Sequence, residues 1–213
     1  MRKIYQKAII MLSVACMGYA TPAFAADAIV KTNKAWLSGA THIYGRMTVS
    51  GITSSNIKEK GFCYSSVNQM PTVEDGTSKI YLSNQGEIYN ISQLKPATVY
   101  YIRAYVKKTN GDVVYGDPVK AITRPKGGVT YNINDGFPSD VLTRVQAAAK
   151  EAIDLWNEYT GIHGLHITIN YGAQTQTADC SYGGWMRIGP NASYQKTGTL
   201  LHEMLHAIGV GTD

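Results

Sequence analysis

Three residues near the end of the chain could carry out chemistry together: His202, Glu203 and His206, in the run His-Glu-Met-Leu-His. On an α-helix, residues four apart lie on one face, so both imidazoles can bind a single ion. Glu203 would lie beside that ion, where a carboxylate can accept a proton from a bound water molecule. Because histidine nitrogens are common zinc ligands, the spacing predicts a hydrolytic zinc centre with His202 and His206 as metal ligands and Glu203 as general base.

The residues that follow the motif resemble part of a known family pattern. Gly209 comes three positions after His206, and the run resembles the HExxHxxG portion of the metzincin zinc peptidases. The resemblance implies a sharp turn at Gly209, a Zn²⁺ cofactor, a protein or peptide substrate and hydrolysis of peptide bonds by a zinc-activated water. It also implies a third metal ligand where this chain has Thr212, a poor zinc ligand. Asp213 carries a carboxylate but lies one position late, so the third ligand stays open.

The chain ends at Asp213, four residues after Gly209, and this ending has two interpretations. Either the catalytic domain is truncated, or the protein is complete and its site is degenerate. We favour truncation, because a core helix with nothing packed after it would leave apolar surface in water at about 25 cal/mol per Å². A glutamate ligand on a later helix, as in gluzincin-type peptidases, is a further alternative. Gly209 disfavours it, because the histidine helix would normally continue there.

The other histidines are weaker candidates for the metal site. His163 and His166 fall in a segment of strand-like alternation, where a lone histidine is typically solvated or hydrogen-bonded. His42 lies in the first half of the chain, far from the motif in sequence, and we expect it to play no part in the site.

Residues 129–213 are predicted to form the α+β domain that positions the motif. Apolar alternation predicts strands at 129–133, 165–171 and 185–188. A helix should begin at Ser139 and stop before Gly161, and in the histidine helix Leu201, Leu205 and Ile208 are expected to face the core. This order resembles the upper half of a metzincin catalytic domain. The resemblance implies that the strand at 185–188 lines the substrate cleft.

Residues 26–124 have a different composition and predict an all-β domain, followed by a Pro/Gly linker at 125–128. From Tyr100 to Lys107 apolar and polar residues alternate, so one face should be core and the other solvent. The run from Leu94 to Tyr100 resembles the tyrosine corner of fibronectin type III domains, whose hydroxyl bonds to backbone a few residues upstream. The whole segment resembles the fibronectin-type modules of bacterial surface proteins. We interpret it as a spacer rather than as a ligand-binding module.

The first 25 residues are predicted to be an export signal, with a basic start, an apolar stretch and a small-residue cleavage site after Ala25. We therefore expect a secreted or cell-surface protein with no transmembrane segment once the signal is removed. Lipid attachment at Cys16 is the weaker alternative, because Ser13 stands where an aliphatic residue is expected.

Charge and cysteine content exclude some partners. The chain has 20 basic and 15 acidic residues, but three of the basic ones lie in the signal, which leaves 17 − 15 = +2. No basic stripe with interleaved aromatics indicates a nucleic-acid partner. Cys63 and Cys180 fall one in each predicted domain. Two buried thiols are the simpler interpretation, and a disulfide between the domains is the alternative.

The sequence thus predicts a multidomain protein: an N-terminal all-β fibronectin III-like sandwich and a C-terminal α+β, metzincin-like upper catalytic subdomain that is incomplete. Its predicted function is that of a secreted zinc endopeptidase. The alternative function is that of a cell-surface binding or adhesion protein whose protease-like domain is inactive or truncated. The sequence leaves the peptide specificity and the oligomeric state open.

Overall fold

Ten strands in antiparallel pairs occupy the first half of the chain. The computed structural model describes residues 27–35, 37–75, 78–80 (backbone) and 88–211, so the expected signal peptide and Asp213 lie outside the described residues. The strands are β1 (Ile29–Thr32), β2 (Leu37–Ser38), β3 (Ile43–Gly45), β4 (Met47–Ser50), β5 (Ile57–Ser65), β6 (Ser78–Ile80), β7 (Tyr89–Ile91), β8 (Val99–Lys108), β9 (Val113–Tyr115) and β10 (Val119–Ile122).

These strands form two layers around one hydrophobic core. One layer contains the pair β1-β4 and the sheet β2-β3-β7, and the other is the sheet β10-β8-β5-β6, with β9 also paired to β8. Side chains from both layers meet between them, and Ile43, Ile91 and Phe62 are fully buried there. The predicted β-sandwich is therefore present.

Strand β8 shows the predicted alternation, with one exception. Tyr100 is buried, and its hydroxyl accepts a hydrogen bond of 2.9 Å from the Lys95 backbone N–H. This bond is the predicted tyrosine corner. Tyr105, however, was expected on the solvent face and is fully buried. Its hydroxyl donates to Glu59 at 2.6 Å, which satisfies the polar group that burial removes from water.

The second domain is one four-stranded sheet with two helices. Its elements are β11 (Gly128–Ile133), α1 (Ser139–Tyr159), β12 (His163–Tyr171), β13 (Ala178–Cys180), β14 (Trp185–Ile188) and α2 (Thr197–Ala207). The strand order is β11-β12-β14-β13, with the first three parallel and β13 antiparallel to β14. Both helices pack their apolar residues on the same face of the sheet, the one that presents Ile167, Ile169 and Met186.

Helix α1 follows the sequence prediction closely. Seven residues at helical spacing are buried in the core of the second domain: Val141, Val145, Ala148, Ala149, Ala152, Ile153 and Trp156. The helix ends where Gly161 takes a φ of 93°, a left-handed conformation that glycine adopts without steric cost. The helical spacing of the apolar residues was sufficient to predict where this helix begins and ends.

The two domains touch through a turn of the sandwich and the last turn of α1. Glu158 accepts a bond of 2.7 Å from the Thr41 backbone N–H, and its Oε1 lies 2.7 Å from His42 Nδ1. His42 Nε2 lies 2.8 Å from the Tyr159 hydroxyl. His42 therefore has a role in domain docking, which sequence inspection gave no reason to expect.

Cys63 and Cys180 are free and buried in different domains, Cys180 in the core of the second domain and Cys63 on the face of β5 opposite Phe62. Burial raises the pKa of Cys63 to about 12 and that of Cys180 to about 11. The alternative of a disulfide between the domains is therefore wrong. Neither described helix combines the length and the apolar character needed to cross a membrane.

Candidate metal centre

Helix α2 carries the motif, and its buried face differs from the expected one. Leu200, Met204 and Ala207 face the core, with Glu203 beside them. Leu205 and Ile208, predicted to be core residues, are 38% and 39% exposed. The prediction was wrong because the helix has two sets of apolar residues at the same helical spacing. Packing against the rest of the domain buries the set of Leu200, Met204 and Ala207 and leaves Leu205 and Ile208 partly exposed.

The two motif histidines lie together on the side of α2 away from the core. Their ring centres are 5.0 Å apart and their planes are nearly perpendicular, at 88°. A tetrahedral zinc ion with Zn–N bonds of about 2.0–2.1 Å holds two imidazole centres about 5 Å apart. The observed spacing therefore fits the ion that the motif implies.

The turn after α2 fixes the orientation of one imidazole. His206 Nδ1 lies 2.9 Å from the Val210 carbonyl oxygen, and because a carbonyl only accepts, Nδ1 must carry the proton. The other ring nitrogen, Nε2, then keeps its lone pair for a metal. Hydrogen bonds of this kind orient metal-binding histidines and raise their basicity.

Two glycines allow the turn after α2 that brings the Val210 carbonyl back to His206. Gly209 and Gly211 have φ values of 85° and 72°, so both lie in the region that other residues avoid. The Val210 N–H also donates to the Leu205 carbonyl at 2.9 Å, closing the end of the helix. The turn predicted at Gly209 is present. It disfavours the gluzincin alternative, since α2 does not continue.

Glu203 is buried between the helix and the sheet, with only 6% of its surface exposed. Burial raises the pKa of its carboxyl above the usual range, and the imidazoles of His202 and His206 oppose part of that rise. In the described part of the chain no residue donates a hydrogen bond to this carboxylate. A carboxylate so placed is disposed to accept a proton.

The structure does not supply a third ligand. Among the described residues no group of three His, Cys, Asp or Glu side chains could hold a metal ion, and Thr212 and Asp213 lie outside them. His166 bonds to Thr130 and Asn132 on the face of the sheet opposite the helices. The described centre therefore consists of His202, His206 and Glu203.

Beside these residues lies a cavity of about 400 Å³, bordered by Thr177, Tyr194, Gly198, Thr199, His202 and Glu203. The strand next to α2 at the edge of the sheet is β13, which contains Ala178 to Cys180. The strand at 185–188, expected to line a substrate cleft, is β14, which pairs on both sides with β12 and β13 and so does not form an edge of the sheet. Sequence reasoning missed β13 because three residues show too little alternation.

The first domain is a fibronectin type III-like β-sandwich, as its two antiparallel layers and its tyrosine corner indicate. The second is an α+β domain that presents two histidines and a buried glutamate on one helix. The sequence matches no protein-family model and no curated protein sequence.

Several solved structures match parts of the chain. The sixth fibronectin type III domain of human fibronectin type III domain containing protein 3 is 22% identical over 51% of this chain and 88% of its own, with a TM-score of 0.32. The sensor domain of the anti-sigma factor RsgI4 of Pseudobacteroides cellulosolvens is 15% identical over 46% and 94%, with a TM-score of 0.32. The family 28 exopolygalacturonase of Yersinia enterocolitica is 12% identical over 67% and 27%, with a TM-score of 0.37.

Proposed function

We propose that this protein is an exported zinc-dependent endopeptidase. The observation that carries the proposal is the histidine pair. The ring centres of the two imidazoles are 5.0 Å apart, and His206 Nδ1 is hydrogen-bonded to the Val210 carbonyl. This arrangement leaves Nε2 of His206 and the neighbouring His202 ring for one ion. A helix that merely happened to carry two histidines would not need a backbone acceptor to fix one of them.

Zinc bound at this site would supply Lewis acidity, which lowers the pKa of a coordinated water and polarises a substrate carbonyl. Glu203 performs the proton transfers in this proposal. Its carboxylate takes a proton from the attacking water and delivers it to the leaving amine. Burial, which raises the pKa of Glu203, makes it a stronger base than a solvated glutamate would be.

The substrate proposed is an extended peptide. Among the described strands β13 is paired on one side only, with β14, and it lies next to α2. An extended peptide can add to such an edge through backbone hydrogen bonds. The cavity beside His202 and Glu203 could then receive one substrate side chain.

The order of elements supports the finer assignment to a metzincin-like upper subdomain. A helix joins two parallel strands, an antiparallel strand forms the edge, and the histidine helix follows, ending at a glycine turn. In this proposal the third ligand comes from outside the described residues. Asp213 is the candidate within this sequence.

The decisive experiment measures zinc content and peptide cleavage on the same samples. We expect one retained zinc per chain after dialysis and cleavage of a quenched fluorescent peptide library. Glu203→Gln should keep the zinc and lower kcat by about 10²- to 10⁴-fold. His202→Ala should lose the zinc, and the matched control His166→Ala, on the opposite sheet face, should keep both zinc and activity.

A second candidate function is binding or adhesion at the cell surface. Two observations favour it: the first half of the chain is a fibronectin type III-like sandwich, and the described residues contain no three-ligand metal group. A protein that retains no zinc and cleaves no peptide, while folding normally, would support this function. Unchanged cleavage by Glu203→Gln would instead refute the proposed mechanism.

A further inference from the structure

The second sheet has a polar face that the helices leave uncovered. We call it the polar sheet face, and its six central side chains are Asn132, Asn134, His166, Asn170, Trp185 and Arg187. The strand registers place five of these residues in neighbouring rows across β11, β12 and β14, and Asn134 directly follows β11, with its backbone N–H bonded to the Ile169 carbonyl. Asparagine is disfavoured in strands, so three asparagines on one face indicate a requirement other than sheet formation.

Hydrogen bonds connect these side chains in a continuous chain. His166 bridges Thr130 and Asn132 with two contacts of 2.8 Å. The Asn132 amide donates to Asn134 at 2.6 Å, which in turn donates to Asn170 at 2.7 Å. Asn170 ends the chain on the Met186 backbone carbonyl at 3.0 Å. The side chains are thus held in one arrangement before any ligand arrives, which reduces the entropy cost of binding.

An aromatic ring lies beside this network. Trp185 is 47% exposed, and the Arg187 guanidinium lies 5.2 Å from the centre of its ring. Arg187 is itself held by two hydrogen bonds to Asp179, of 2.9 Å and 2.6 Å. A fixed, exposed indole next to fixed amides combines an apolar platform with hydrogen-bonding groups.

The charge of the face indicates the class of ligand. Arg187 and Asp179 neutralise each other, and the other members are amides, hydroxyls and one imidazole. Nucleic acids and anionic lipid surfaces need an excess of Lys and Arg. Protein interfaces are centred on clusters of apolar and aromatic residues, whereas this face has a single indole. An uncharged ligand rich in hydroxyl groups is the complementary partner.

We propose that the polar sheet face binds a neutral polysaccharide, with a sugar ring against the Trp185 indole and its hydroxyls hydrogen-bonded to the asparagine amides. Amide groups suit this task because each offers both donors and an acceptor. The three strands β11, β12 and β14, spaced about 4.8 Å apart, span about 10 Å, enough for more than one sugar unit. This binding requires neither zinc nor Glu203, so it stands apart from the proposed peptidase activity.

The test is native electrophoresis of the full chain through gels that contain hydroxyethylcellulose, guar galactomannan or soluble starch, with polygalacturonate as the charged comparison. We expect at least one of the three neutral polymers to retard the protein. Trp185→Ala should weaken that retention by up to about tenfold. Tyr182→Ala removes an aromatic that is 78% exposed but lies off the face, in the turn before β14, and should leave retention unchanged.

Two further variants keep the outcome interpretable. Asn134→Ala, at an exposed position in the middle of the hydrogen-bond chain, should weaken retention about three- to tenfold, without the loss of an aromatic ring. Glu203→Gln should be retained like the wild type. Mobility unaffected by all three neutral polymers, retardation by polygalacturonate alone, or equal losses in Trp185→Ala and Tyr182→Ala would each overturn the proposal.

Discussion

The two domains use their buried polar groups in different ways. In the sandwich such groups hold strands together: Tyr100 accepts from Lys95, Tyr105 donates to Glu59, and Thr32 Oγ1 accepts from the Ala104 N–H at 2.9 Å. In the second domain the buried carboxylate of Glu203 has no hydrogen-bond donor among the described residues. Glu203 borders the cavity beside α2, and its oxygens are not among the fully buried side-chain atoms without a partner in the described part of the chain.

The two domains therefore differ in how their polar side chains are satisfied. The sandwich is built as a support, with its polar side chains satisfied internally. Helix α2 keeps a buried acid and two imidazoles that contact each other, and the hydrogen bond of His206 goes to a backbone carbonyl.

The largest expected effect tests whether the sandwich is an independent support. Phe62→Ala empties a fully buried core position and should lower the free energy of unfolding of the sandwich by about 3–5 kcal/mol. Urea unfolding in a Trp36→Phe background measures both domains, because the remaining tryptophans, Trp156 and Trp185, report on the second domain and circular dichroism reports on both. Val67→Ala, at a site 89% exposed, is the control and should change nothing. A loss of equal size in both domains would show that they fold as one unit.

The next effect concerns the contact that joins the two regions. Glu158→Ala removes the acceptor of the Thr41 N–H and the partner of His42, which should reduce the coupling between the domains by about 1–3 kcal/mol. A double-mutant cycle with His42→Ala, followed by urea unfolding, isolates the shared part of that energy. Asp154→Asn, on an exposed side chain one turn earlier, is the matched control. A coupling energy near zero would mean that the docking bonds do not hold the domains together.

A smaller effect should appear at the turn that orients His206. Gly209→Ala places a Cβ at a φ of 85°, so the turn relaxes and the Val210 carbonyl moves from His206 Nδ1. Zinc affinity should then fall about 10- to 100-fold, as measured by competition with a fluorescent chelator. Gly136→Ala introduces a comparable strain at a φ of 99°, with no atom near the new Cβ. Equal losses in both variants would indicate general destabilisation instead.

The smallest effect compares the buried thiols of the two domains, Cys63 and Cys180. Burial raises the pKa of Cys63 to about 12 and of Cys180 to about 11, against an ordinary value of 9.0. A raised pKa favours the protonated thiol in the folded state, so this contribution to stability is complete below pH 9 and is lost as the pH rises through these values. At pH 10 we expect iodoacetamide to label Cys180 faster than Cys63, and both more slowly than the unfolded chain. Mass spectrometry of the labelled peptides gives the rates, and the reverse order would contradict the burial argument.

Local patterns in the sequence were enough to predict several features. The helix at Ser139–Tyr159, the tyrosine corner at Tyr100 and the turn at Gly209 all depend on residues that are neighbours in the chain. The same holds for the spacing of His202 and His206, because one helical turn sets it. The sequence also favoured two buried thiols over a disulfide between Cys63 and Cys180, and both cysteines are free and buried.

Features set by distant contacts could not be read in this way. Which apolar set of α2 faces the core depended on how the helix meets β13, and Leu205 was misassigned for that reason. The edge position of β13 depends on strand order, which three residues cannot reveal. The bond between His42 and Glu158 joins residues 116 positions apart, and no local sequence pattern around either residue predicts it. The boundaries at 124–128 and the export signal stay predictions.

The contact between the turn at 39–42 and Glu158 also determines how the molecule carries mechanical load. A pull on the N-terminal end of the sandwich would reach α1 through the bonds at Thr41 and His42. The Arg124 N–H, which donates to the Gly39 carbonyl at 2.8 Å, ties the same turn to the segment that leads into the second domain. Several short bonds loaded in parallel resist such a pull better than a slack tether would. We therefore expect the turn at 39–42 and the last turn of α1 to move together under such a load.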